Sequence, residues 1–452
     1  MMKLKDRMNP RYSLTILLSL LLVFSCGDPY NDEVDESKTD YATNDIPPAT
    51  ELDGWINQNF TEPYNIEVKY RWSANETNIN NQLVPPMTSK VQTIMNVVKE
   101  AWIEPYIAEA GEEFFKTYTP KQFVLVGSPN YNPGGTVTLG TAEGGRKIVL
   151  FVINEFDDNN RAKIAEQIHT MHHEFAHILH QNIPYTAAFK EITRGGYTAD
   201  WYNIPLSTAQ SRGFITSYAM SGPDEDFVEI IATMLTNGKR GFDRIVCSIP
   251  SQEAQSAIRQ KEQTVVNYFN DVYKIDFYRL QQRTDAAIDA FAPKSLRTDL
   301  GFSSGQNFYG IRISTDEISN LPPAFASIYN NAKTAMAGDG LTLDYLLIFF
   351  LANNQIVVQY VYHDASNAEY FANFLYDYTV GSNEVLNLTL GGQNDAADEV
   401  DDNLTPLLSY FQDNNIKFDY IPNDTEDCVG DFGGLFVDGN ASLNTYGILV
   451  ND

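Results

Sequence analysis

Apolar residues recur at helical spacing through most of the chain up to Phe291, and in short strand-like runs beyond Gln306. The longest clean helical segment runs from Ala162 to Gln181 without Pro or Gly. Ile164, Ile168, Phe175, Ile178 and Leu179 give it apolar surface, Asp157-Asp158-Asn159-Asn160 offers turn and N-cap chemistry, and Pro184 closes it. Lys147–Ile153 reads as a strand leading into this helix, and the glycines of Thr136–Gly145 as its turn-rich approach. A second helix is expected to start at Ser221 and Pro223 and end at Asn237-Gly238, with Phe227, Ile230, Ile231 and Met234 on one face. Ser89–Tyr118 reads as a long helix interrupted near Pro105, Phe123–Val126 as a strand, and Gln255–Phe291 as helical.

Between Pro293 and Gln306 the pattern changes to Gly, Ser and Asn. Strands are then expected at Tyr345–Phe350, Ile356–Tyr362, Phe371–Tyr378, Val385–Leu390, Ile416–Tyr420 and Leu435–Val437, the first of which also fits a helix. The fold class is therefore α+β, with one domain over residues 51–292 and a smaller β-rich α+β domain over 305–452 whose function is not legible. The acidic run Asn394–Asp402 lacks the spaced ligands and central Gly of a calcium loop and reads as solvated loop.

The amino terminus sets the address. Lys3, Lys5, Arg7 and Arg11 precede an apolar run, Leu14–Phe24, that is too short for a bilayer core of about 30 Å and leads into Val23-Phe24-Ser25-Cys26-Gly27. Residues 1–25 are expected to be a signal peptide. The cysteine directly after it resembles a bacterial lipobox, which implies a lipid on Cys26 and a protein anchored to the membrane without spanning it. Residues 26–50 carry Asp28, Asp32, Glu33, Asp35, Glu36, Asp40 and Asp45 against Lys38 and read as a tether. Its acidity resembles the surface-export signal of Bacteroidota lipoproteins, so an outer-membrane, cell-surface location is expected, with a periplasm-facing one as the alternative. Fifty-nine acidic against 31 basic residues give a net charge of −28, which repels nucleic-acid phosphate. Cys247 and Cys428 remain, and an envelope location permits a disulfide between them.

Five of the six histidines lie between His169 and His180, and two of them form His173-Glu174-Phe175-Ala176-His177. Four residues apart on a helix, His173 and His177 can converge on one zinc ion at distances of about 2.0–2.1 Å. Glu174 is turned about 100° away from His173, where it can act as general base towards a water held by the ion. A catalytic zinc needs a third protein ligand. The H-E-x-x-H-x-x-G-x-x-H pattern would put Gly at 180 and His at 183, but the chain has His180 and Ile183. His180 lies one further turn along a straight helix, too far to close the site, and is read with His169 and His172 as a polar neighbour. The alternative is a carboxylate of the second helix, where Glu225 and Glu229 share a face. One could bind zinc while the other accepts the free ring N–H of a ligating histidine. Asp224 and Asp226 read as a solvated first turn favoured by the helix dipole.

His-Glu-Phe-Ala-His at 173–177, paired with Ser217-Tyr218-Ala219 and Glu225-Asp226-Phe227-Val228-Glu229, resembles the gluzincin branch of the zincins. More narrowly, it is similar to the zinc-binding metallopeptidases described as substrate import-associated zinc metallohydrolase lipoproteins of Bacteroidota. The resemblance implies a zincin-like domain, one zinc ion, and Glu225 as third ligand with Glu229 in support. It also implies that Tyr218, seven residues before Glu225, stabilises the oxyanion; a tyrosine packed in the core is the alternative. The expected activity is hydrolysis of peptide or protein substrates in nutrient import, in association with a TonB-dependent import complex. The rival is a non-catalytic peptide- or glycan-binding accessory lipoprotein of such a complex.

Overall fold

The computed structural model describes residues 49–451 apart from 73–75, 77–81, 133–134, 144, 303–305 and 422–430. The expectations for the signal peptide, Cys26, the tether up to residue 48, and Cys428 lie outside these residues. Residues 49–57 belong to one unit, in which Thr50 and Asp53 cap the short helix Glu51–Ile56 reciprocally. Residues 58–452 form a second, compact unit.

The second unit begins with a four-stranded sheet. Strands β1 (Glu67–Lys69), β2 (Gln122–Leu125) and β6 (Lys147–Leu150) run parallel, and β5 (Gly140–Glu143) closes one edge antiparallel to β6. A small hairpin, β3 (Asn130–Tyr131) and β4 (Val137–Thr138), precedes that edge. The segment read as turns thus carries a strand, because pairing with β6 overrides the low strand propensity of Gly140. The strand expected over Lys147–Ile153 stops at Leu150, since Val152 takes a left-handed φ of 66° and Ile153–Glu155 forms a 3₁₀ turn.

Helices pack against the sheet. α1 (Thr88–Val98) and α2 (Glu104–Tyr118) are joined through a π turn at Lys99–Ile103, and the chain also kinks at Gly111, φ 86°. α3 (Arg161–Asn182) starts where the side chain of Asn160 accepts from the amides of Ala162 and Lys163. α4 (Pro223–Cys247) does not end at Gly238: it kinks there, φ 69°, and continues for two turns. α5 (Gln252–Tyr268) and α6 (Phe277–Phe291) complete the layer. Trp102 and Tyr106 meet Phe175 of α3 edge-on at 5.3 and 4.9 Å between centroids, which locks the rotation of that helix.

Beyond residue 309 the strands close into an eight-stranded barrel: β7 (Gly310–Ile313), β8 (Thr342–Leu351), β9 (Gln355–His363), β10 (Glu369–Val380), β11 (Val385–Gln393), β12 (Ile416–Tyr420), β13 (Phe432–Val437) and β14 (Thr445–Val450). All its pairings are antiparallel, and β14 returns to β7. The run before Asn353 is strand, not helix. α7 (Pro323–Gly338) and α8 (Asp401–Gln412) pack together through Phe325 and Tyr410. The acidic run read as loop is largely helical, because Asn394 caps Asp395–Asp398 and α8 starts at Asp401. Arg240 and Arg244 of α4 reach the barrel, pairing with Asp431 at 3.3 and 2.7 Å and covering the ring of Tyr420. Cys247, at the end of α4, is disulfide-bonded; the other two cysteines lie outside the described residues.

Candidate metal centre

α3 crosses the end of β6, where Gln167 donates to the carbonyl of Phe151 at 3.1 Å. Its exit face meets α4, which brings the residues singled out in the sequence together. The Nε2 atoms of His173 and His177 each lie 3.2 Å from the same oxygen, Oε2 of Glu225. Two ligands of a tetrahedral zinc at about 2.0–2.1 Å are roughly 3.3–3.4 Å apart, so the spacing fits one small divalent cation. The donor set, two imidazoles and one carboxylate, is one that can hold zinc.

Glu229, one turn further along α4, does something different. Its Oε1 lies 2.8 Å from Nδ1 of His173, a hydrogen-bond distance and too short for two ligands of one ion. The same oxygen meets Nε2 of His169 at 3.0 Å, while Oε2 accepts from Thr216 Oγ1 at 2.6 Å. His169, His173 and Glu229 form a second cluster with metal-like composition, but it engages the far nitrogen of His173.

The electrostatics follow from this geometry. Burial alone would pull His173 down, yet its hydrogen bonds to Glu225 and Glu229 outweigh it and push the ring up to about 10. Burial would raise Glu225, but His173 and His177 hold it well below the ordinary carboxylate range, and His169 and His173 do the same for Glu229. A negative field of this kind favours a cation between the rings. Burial pulls His172 down to about 3 and His180 to about 4, so both are neutral. Glu174 is 8% exposed, and its charge acts on both His173 and Tyr218.

Tyr218 stands on the 3₁₀ turn Tyr218–Ser221 that enters α4. Its ring lies 5.8 Å from that of His173, nearly parallel, and at 36% exposure it is not a core tyrosine. Burial, then the charge of Glu225, raises its phenol above the ordinary value, so it keeps a proton to donate. Thr216, which the sequence did not single out, ties this turn to the centre by accepting from the amide of Ala219 while donating to Glu229.

Asp226 corrects the sequence reading. It is fully buried and pairs with Lys261 of α5 at 2.6 Å, with Tyr197 donating to it at 3.0 Å. Asp224 does stay near solvent, where Tyr185 and Lys190 donate to it. The partner of Asp226 lies 35 positions downstream, and nothing local announces it.

Buried His173 and part-buried His177 and Glu225 are spaced for one ion, with the buried Glu174 adjacent. The chain belongs to the family described as "Putative zinc-binding metallo-peptidase", whose model matches residues 46–278 and ends before the barrel begins. A crystal structure of a "putative zinc-binding metallo-peptidase" from Bacteroides caccae ATCC 43185 is 34% identical over 53% of this chain and 92% of that one, with a TM-score of 0.47. No curated protein matches the chain.

Proposed function

We propose that the protein is a zinc-dependent peptidase held at the outer-membrane surface by a lipid on Cys26 and serving nutrient import together with a TonB-dependent import complex. The observation that carries the catalytic part is the shared 3.2 Å approach of His173 and His177 Nε2 to Glu225, with Glu174 beside them. His173, His177 and Glu225 would hold the ion. When bound, zinc supplies Lewis-acid polarisation of a carbonyl and brings a water close to deprotonation at neutral pH.

Glu174 takes one proton from the attacking water, whose oxygen bonds to the peptide carbonyl carbon, and returns it to the amine as the C–N bond breaks. Tyr218 donates to the oxygen on which negative charge develops. Glu229 holds His173 in the tautomer that presents Nε2. The outer edge of β5 carries no further strand among the described residues, so an extended peptide could add to the sheet there. Among the described residues no helix is long and apolar enough to cross a membrane.

The test is incubation of purified protein and its Glu174→Gln variant with a mixed peptide library, with and without chelator, reading new termini by mass spectrometry. Chelator-sensitive cleavage lost in the variant, by about 10²–10⁴-fold or more while zinc stays bound, is the expected result. Equal cleavage by both proteins rejects Glu174 as base. Capture of peptides or glycans without new termini favours a binding accessory instead.

A further inference from the structure

The distal nitrogen of His173 is taken by a carboxylate; that of His177 is taken by another histidine. Nδ1 of His177 lies 3.0 Å from Nε2 of His180, one turn further along α3. On spacing alone His180 stands too far along α3 to close the site with His173 and His177. In the structure it engages the opposite side of the ring from Nε2 of His177, which faces Glu225.

We propose that His180 is the positioning residue of the second zinc histidine: its unprotonated Nε2 accepts the Nδ1–H of His177 and fixes the tautomer that presents His177 Nε2 to zinc. The inference rests on the zinc reading above, but not on peptide hydrolysis.

Two constraints support it. Coordination through Nε2 leaves the proton of His177 on Nδ1, so the group 3.0 Å away must accept, which places the proton of His180 on its own Nδ1. The ring of His180 is also held from outside its own helix. It is 7% exposed and packs edge-on against Tyr185 and Phe227, at 5.6 and 6.2 Å between centroids. Those two rings stack on each other at 4.1 Å. Phe227 lies two residues after Glu225 on α4, so the acceptor for His177 and the carboxylate ligand are referenced to the same helix. The two zinc histidines are thereby unequal: His173 donates to an anion, His177 to a neutral ring, and the charge-assisted bond is roughly twice as strong.

The experiment uses the full chain and measures zinc affinity by competition with a chromophoric chelator for wild type, His180→Ala and His180→Gln. Loss of a partner of this kind costs about 10–100-fold in metal affinity, which is the expectation for His180→Ala. His180→Gln, whose amide oxygen can accept, is expected to recover most of the loss. Wild-type affinity in His180→Ala, or equal weakening in both variants, overturns the proposal. A measurement on zinc-loaded wild type, long-range ¹H–¹⁵N correlation of the imidazoles, decides it even where a variant fails to fold. Protons on Nδ1 of both His177 and His180 support it, and a proton on Nε2 of His180 refutes it. Zinc binding without any peptide cleavage would sink the peptidase reading and leave this one standing. A wild-type chain that binds no zinc would sink both.

Discussion

Glu225 and Glu229, one turn apart on α4, take opposite nitrogens of the same imidazole: Oε2 of Glu225 lies 3.2 Å from Nε2 of His173, and Oε1 of Glu229 lies 2.8 Å from Nδ1. Their spacing along the chain makes them near equivalents, but the ring between the helices makes them different. One faces the position an ion would fill; the other faces the helix that carries the histidines.

The two acids should therefore separate by experiment. Glu225→Ala removes one of the three proposed ligands and is expected to lose zinc on dialysis. Glu229→Ala keeps the ligand set and should weaken zinc by about 10–100-fold. Metal content and chelator competition check both, and the reverse order would exchange their assignments.

Asp226 and Lys261 form an ion pair with both side chains at 0% exposure. Replacing Lys261 by Met leaves a buried carboxylate without its counter-charge, at an expected cost of about 3–5 kcal/mol. Adding Asp226→Asn to that variant should recover part of the loss, since the amide needs no counter-ion. Urea unfolding of the two variants reads the difference.

Gly140 brings β5 onto α3. A Cβ at that position would lie 2.3 Å from Cγ2 of Thr170, one turn before Glu174. Gly140→Ala should destabilise by about 1–3 kcal/mol through overpacking, and Thr170→Ser in the same chain should relieve it. Thermal unfolding of the four members of the cycle measures the coupling, and additive effects would argue against direct contact.

Glu109 of α2 receives Arg279 of α6 through two bonds of 2.7 and 2.5 Å, and Arg283 at 3.3 Å. These guanidinium bonds hold its carboxyl below the ordinary 4.5. Because the folded state binds that proton less readily than the unfolded chain, the stabilisation is present above pH 4.5 and is lost as pH falls below it. Glu109→Gln should cost about 1 kcal/mol at pH 7, and less in acid below that point. Unfolding temperatures at the two pH values test the sign.

Much of the centre is legible in the chain because its information is local. His173, Glu174 and His177 need one helix and a four-residue spacing, and an uninterrupted segment opened by Asn160 supplies it. The barrel strands from Tyr345 to Tyr420 are visible for the same reason, as short runs rich in aromatic and branched residues. Less visible is what depends on a partner far along the chain. β5 looked like turns because its strand character comes from β6, and β7 and β14 are short segments whose pairing with each other closes the barrel across some 130 residues. Gly238 looked like a terminus but became a kink, because Arg240, Arg244 and Phe242 give the following turns surfaces to pack against.

By itself the amino-acid order determined the kind of chemistry available: imidazoles at helical spacing, a glutamate between them, acids waiting on a later helix, and an excess of negative charge. Folding decided the assignments. It gave Glu225 one nitrogen of His173 and Glu229 the other, carried Asp226 out of water to Lys261, and turned His180 towards the back of His177. The reason is geometric: periodicity states which face of a helix a side chain occupies, whereas its partner is set by the crossing of two helices far apart in the chain.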